Sequence, residues 1–164
     1  MFDKYGEFDS AEELNRTAAE KRADGDEEAL AALALENGLD REDAEDYMDF
    51  VNEEFCTPYM AAIGKIKVEK EELKLKRELQ DLAEELEMAC QQDPAVAAGV
   101  RKKGKRLAEY LAKVVDAGYK NAILLPKEIT EQLTEVPKQY RSQVRTGMPN
   151  KAERMEIIKT YYGR

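Results

Sequence analysis

The chain carries 35 carboxylates, two cysteines and eight tyrosines, but no histidine. Those types decide which chemistry is open to it. Two carboxylates can share general acid and base work when both face one substrate. Glu12 with Glu13, and Glu53 with Glu54, are adjacent in sequence, and adjacent helical positions point apart. Asp43 with Asp46, and Glu42 with Asp46, can share a helix face, yet nothing beside them marks a cleft. "DREDAED" from Asp40 is like a calcium loop in composition only, lacking the central glycine and the closing glutamate at the required spacing. A structural zinc site takes about four ligands, mostly Cys and His. Cys56 and Cys90 alone cannot supply them, so no metal site and no cofactor are expected, and both thiols read as reduced core residues. Without histidine the commonest general base is missing, as is the usual partner of a Ser or Cys nucleophile. "KKGKR" holds one glycine and follows no strand, so it is no phosphate loop. Tyr161 and Tyr162 read as packing residues with their hydroxyls at the surface. The expectation is a protein without catalytic residues.

Charge is distributed unevenly along the chain. Residues 1–60 hold 5 basic and 19 acidic side chains, residues 61–98 hold 6 and 9, and residues 99–164 hold 15 and 7. The net charge is -9. Two surfaces follow as candidates for binding a partner. The acidic one is Asp40, Glu42, Asp43, Glu45, Asp46 and Asp49. It suits a strongly basic partner, because complementary potential speeds encounter and weakens with salt. The basic one is Arg101, Lys102, Lys103, Lys105 and Arg106, within "AAGVRKKGKRLAEYL". It can serve a protein partner or nucleic-acid phosphates, with Lys113, Lys120, Lys127, Arg141, Arg145 and Lys151 extending the patch. No aromatic residue interleaves the run, so base stacking there is not indicated. For both surfaces the plainer reading is a solvated helix face.

The elements that position these residues are helices. "SAEE" at Ser10 has the form of a capping box, with Glu13 reaching back to the cap. It opens a helix to about Ala23. A second covers about Glu27–Glu36 and stops at Asn37-Gly38. Asp40 caps a third, extending through "REDAEDYMDFVNEEF". After Pro58 a short piece reaches Gly64. A long helix then runs from about Ile66 to Gln92, with Leu75, Leu79, Leu82, Leu86 and Ala89 as its apolar seam. Asp93-Pro94 stops it and starts the next, which carries the basic run and ends at Gly118 or Asn121, with Gly104 on its inward stripe. Pro126 begins a short helix and Pro149 the last one, whose Met155, Ile158 and Tyr162 share a face. No strand is expected. The fold class is all-α: an acidic N-terminal helix-turn-helix part, a central long-helix hairpin and a basic C-terminal helical part. A boundary near Thr57-Pro58 divides it into 1–57 and 58–164, with one continuous domain as the alternative. No window reaches the apolar length of a membrane span, and "MFDKYGEF" has no secretory character, so a cytoplasmic protein is expected.

The opening fifty residues, "MFDKYGEFDSAEELNRTAAEKRADGDEEALAALALENGLDREDAEDYMDF", together with "VRKKGKRLAEYLAKVV" and "TGMPNKAERMEIIKTYYG", resemble the PcfK-like proteins of conjugative plasmids and transposons. The subgroup with such an N-terminus resembles the type II-A anti-CRISPR family numbered nine. The resemblance is weakest over about Ile66 to Pro94. It implies a non-catalytic inhibitor that binds the RNA-guided nuclease of type II CRISPR systems, with its guide RNA, and blocks DNA binding or cleavage. It carries over no active-site residues. The alternative is a conjugation accessory protein that binds nucleic acid or the transfer machinery. The residues fix no oligomeric state.

Overall fold

The computed structural model describes residues 2–163. The fold is all-α: among the described residues about 65% are helical and the only sheet has two short strands. The first three helices are α1 (Ala11–Ala23), α2 (Glu27–Glu36) and α3 (Arg41–Met48). The Ser10 hydroxyl accepts from Glu13 N–H at 3.2 Å, but the Glu13 carboxylate reaches Asp9 N–H at 2.6 Å, one residue short of the cap itself. Asp26 caps α2 by accepting from Ala29 N–H. At α3 the Asp43 carboxylate accepts from Asp40 N–H at 3.1 Å. Leu14, Ala18, Leu30, Leu33, Ala34 and Phe55 close these helices into one apolar core.

α3 ends at Met48, well before Phe55. Phe50 has φ +59, outside the helical region, and its N–H turns back to Tyr47 O. Asn15 then ties the next stretch to α1, accepting from Cys56 N–H and donating to Cys56 O, both at 2.9 Å.

α4 runs unbroken over Pro58–Leu73, capped by Thr57 with Pro58 in its first turn. The expected long helix from Ile66 to Gln92 is two helices. Lys74 and Arg77 both have positive φ, and α5 starts only at Glu78 and ends at Gln92. The two pack side by side. The seam divides accordingly: Leu82, Leu86 and Ala89 are core, Leu75 is half-buried in the turn, and Leu79 is exposed. Asp93 caps α6 (Pro94–Arg101), accepting from Ala95 N–H. α7 (Leu107–Lys120) follows a loop, and α9 (Lys151–Tyr162) closes the second core with Ile158, Tyr161 and Tyr162. Arg154 fastens α9 to α5 through a two-pronged pair with Glu85, at 2.6 and 3.2 Å.

The cores share α4, which gives Ala61 to the first and Ala62 and Ile66 to the second. The turn after α2 meets α4 backbone to backbone at Gly38 and Gly64, where a Cβ on either glycine would overlap the other chain segment. Between α7 and α9 an arm projects. It holds β1 (Ile123–Leu124), α8 (Lys127–Thr130), a 3-10 helix (Lys138–Gln143) and β2 (Arg145–Thr146), with β1 and β2 antiparallel. The strands were not expected. Two residues each give no period-two pattern to read.

Candidate functional site

The acidic candidates lie on α3 and at its ends. Asp40, Glu42, Glu45 and Asp49 are exposed, and Asp43 and Asp46 are half-buried. Asp43 is engaged in the capping box of α3, accepting from the N–H of the cap residue Asp40. Asp40 meets Lys67 of α4 at 3.2 Å, and Glu45 pairs with Arg41 at 2.9 Å, both pairs well exposed. Such pairs hold side chains weakly and leave most of their charge to solvent. Asp24, Asp26, Glu27, Glu28, Glu53 and Glu54 are exposed as well, so the carboxylates extend over the same half. A shallow hollow between α2 and α3, lined by Glu27, Arg41, Glu45 and Asp49, holds no enclosed chemistry.

The basic run behaves differently. It is not the first two turns of a helix: α6 stops at Arg101, Gly104 sits at φ +77, and α7 begins at Leu107. Glycine at that φ is free of the Cβ clash that other residues meet. The loop therefore turns, and Gly104 is exposed rather than on an inward stripe.

Arg101, expected on the surface, is 1% exposed. One guanidinium nitrogen donates to Asn37 Oδ1 at 2.8 Å. Its remaining face lies between Phe2 and Phe8, 5.6 and 5.8 Å from the ring centroids, with Nε and Nη1 lacking a hydrogen-bond partner among the described residues. Lys105 donates to Tyr161 O at 2.9 Å and stacks over the Tyr161 ring. Arg106 meets Glu69 at 3.5 Å and Glu7 at 3.8 Å. Lys102 and Lys103 are exposed. Lys102 nonetheless lends its carbonyl to the Lys65 ammonium at 2.7 Å, and Lys103 N–H binds Asp9 at 3.0 Å.

This loop is the centre of a buried polar seam that residue types alone did not reveal. Residues 2–9 cross it as a strap. Glu7 pairs with the buried Lys65 at 2.6 Å and accepts from Gly104 N–H at 3.2 Å. Glu69, on the next turn of α4, accepts from Leu107 N–H at 2.5 Å and so caps α7. Burial disfavours ionisation of Glu7, but Lys65, the Gly104 N–H and Arg106 outweigh it and hold its carboxyl below the ordinary 4.5. For Glu69 burial wins over the same kinds of partner, and its carboxyl is raised. Burial also lowers Lys65 against the pull of Glu7 and Glu69. The sequence signal for this seam was faint: Lys65 and Glu69 stand four apart on α4, on a face otherwise apolar.

The other reactive types are packed away. Burial pushes the Cys56 and Cys90 thiols up to about 12, far from the thiolate a nucleophile needs. Tyr161 and Tyr162 are buried, with hydroxyls bonded inside rather than at the surface. Tyr161 accepts from Arg106 N–H at 3.0 Å and donates to Glu109 at 2.7 Å, and Tyr162 donates to Arg106 O at 3.4 Å. Among the described residues no group of three or more His, Cys, Asp or Glu is placed to hold a metal ion, and no helix is long and apolar enough to cross a membrane.

Comparison with known proteins finds no matching family model, no matching curated protein and no matching solved structure.

Proposed function

We propose that this protein is a non-catalytic inhibitor that acts in the cytoplasm by laying its acidic half on a basic, nucleic-acid-binding surface of another protein. The sequence resemblance points to the RNA-guided nuclease of type II CRISPR systems, loaded with guide RNA, as that target. Such a nuclease has positively charged channels for its guide and target strands. One observation carries the reading. The carboxylates of α2 and α3 are presented to solvent, whereas most cations of the basic run are turned into the protein's own seam. Of the two surfaces, the acidic one keeps more of its charge in solvent for a partner to meet.

The test is capture of the nuclease, with and without guide RNA, by the intact protein and by a Glu42→Lys, Glu45→Lys, Asp49→Lys variant. Asp40 and Asp43 are left in place because Asp40 is the N-cap of α3 and Asp43 accepts its N–H. Loss of capture and of inhibition in the variant, with the fold retained, supports the reading. Undiminished inhibition sinks it.

The second reading, a conjugation accessory protein that binds nucleic acid or the transfer machinery, draws on the end of α7 and the arm. Tyr119 is 87% exposed and Tyr140 54%, close in sequence to the exposed Lys120 and Lys138. It predicts salt-dependent binding of single-stranded DNA by the isolated protein.

A further inference from the structure

Two exposed apolar features differ in the charged residues beside them. On the acidic half, Phe50 is 77% and Val51 68% exposed. Phe50 occupies the left-handed backbone region, rare for a bulky residue. Its ring is steadied by the Arg22 guanidinium at 4.6 Å, which also stacks on Tyr47 at 3.9 Å. Asp49, Glu53 and Glu54, all exposed, flank this knob in the chain.

The arm carries the opposite arrangement. A groove of about 520 Å³ is lined by Leu124 and Leu125 together with Lys127, Lys138 and Arg141. Leu124 is 56% exposed. The one carboxylate in the lining, Glu131, is paired with Lys127 at 3.5 Å. A groove lined by two leucines, three cations and one carboxylate is complementary to an exposed Phe50–Val51 knob that has Asp49, Glu53 and Glu54 near it in the chain.

We propose that the arm groove receives Phe50 and Val51 of a second copy of this chain, so that copies associate head to tail. An aromatic anchor in an apolar pocket, surrounded by charge, is how interfaces concentrate their binding energy. Both halves of the match belong to one sequence, which commits the occupant to a second copy. Because knob and groove are different surfaces, the contact is heterologous and keeps adding copies unless a ring closes. The inference does not depend on the nuclease reading.

Sedimentation velocity on the full chain over rising concentration tests it, at low and at high salt. The wild type is expected to sediment faster as concentration rises, and less so at high salt. Phe50→Ser removes the knob and Leu124→Asp poisons the groove. Both side chains are exposed, and unchanged thermal unfolding confirms that each variant folds. Each variant alone is expected to stay monomeric. Mixed together they are expected to form dimers and stop there, since the intact groove of one meets the intact knob of the other. A wild type that stays monomeric at every concentration overturns the proposal. So does assembly that persists in Phe50→Ser, or a mixture that remains monomeric. Binding of a short single-stranded DNA by a wild type that stays monomeric, lost in Leu124→Asp, assigns the groove to nucleic acid instead.

Discussion

On α2 and α3 the charged side chains project into water and are held by little. Around residues 101–106 they turn inward and are held by much. Arg101 is bonded to Asn37, Lys105 to the Tyr161 carbonyl, and Arg106 to Glu69 and Glu7. The acidic half has exposed pairs such as Lys67 with Asp40, which contribute about 0–1 kcal/mol each. The seam has Lys65 with Glu7, side chains 1% and 10% exposed, where losing one partner strands a buried charge. The same counting of charges along a sequence thus describes two different things. One region is a surface; the other is an internal joint between two cores.

The largest way to break the comparison is to break the joint. Gly64 lies on α4 against the Asn37–Gly38 backbone, and a Cβ there would overlap the Asn37 carbonyl. The neighbour is main chain and cannot swing aside. Gly64→Ala is expected to cost about 3 kcal/mol or more, a large share of a domain's typical stability. Urea unfolding checks it: a midpoint close to wild type means the two halves are not pressed together there.

Next in size is the seam itself. Glu7→Gln keeps the shape but removes the charge facing Lys65, and is expected to destabilise by about 3–5 kcal/mol at neutral pH. The pH dependence gives a signature. The Glu7 carboxyl is depressed below 4.5 in the folded state. Its contribution is therefore complete above that value and is lost as pH falls through the lower folded value. The difference between wild type and Glu7→Gln should be full at neutral pH and shrink in acid. Glu69, raised instead, works in the opposite sense, but it is present in both proteins and drops out of the difference. A gap that stays constant into acid shows that Glu7 acts by shape alone.

The cysteines report on each core separately. Cys56 belongs to the first core and Cys90 to the second, and both thiols are pushed up to about 12. Against the ordinary 9.0, that alone suppresses thiolate at neutral pH about a thousand-fold. Labelling should be slow at both and should accelerate at both in Glu7→Gln, because α4 is common to the two cores. Acceleration of one thiol alone would mean that the halves open independently.

How much of this was legible follows the same division. Helices announced by chemistry could be read: Ser10, Asp40 and Asp93 with Pro94 stand at helix starts, and Pro149, read as the start of the last helix, lies just before its cap Asn150. The α4–α5 turn could not, because "KLKR" contains neither Gly nor Pro and two ordinary residues take positive φ there. The α6–α7 break did have its signal in Gly104, but the apolar spacing of Val100, Leu107 and Leu111 continued in phase across it. The carboxylates of α3 were legible as a surface because a helix face needs only local pattern. The burial of Arg101 was not. It depends on Asn37, Phe2 and Phe8, which lie more than sixty residues away in the chain, and no local pattern encodes such a contact.

The smallest expected effect separates the two kinds of cation within a single loop. Lys103 and Lys105 are two positions apart and identical in type. The Lys103 side chain is exposed, and only its backbone N–H is engaged, by Asp9. Lys105 donates to the Tyr161 carbonyl at 2.9 Å and lies 4.5 Å from the ring centroid. Lys105→Ala should cost about 1 kcal/mol, from one charge-assisted hydrogen bond and a half-exposed cation–π contact. Lys103→Ala should stay within about 0.5 kcal/mol of wild type, as surface changes do. Thermal unfolding of the pair measures the difference. If Lys103→Ala costs as much as Lys105→Ala, the run acts through total charge rather than through individual contacts, and the inward reading of the basic loop fails at its outermost residue.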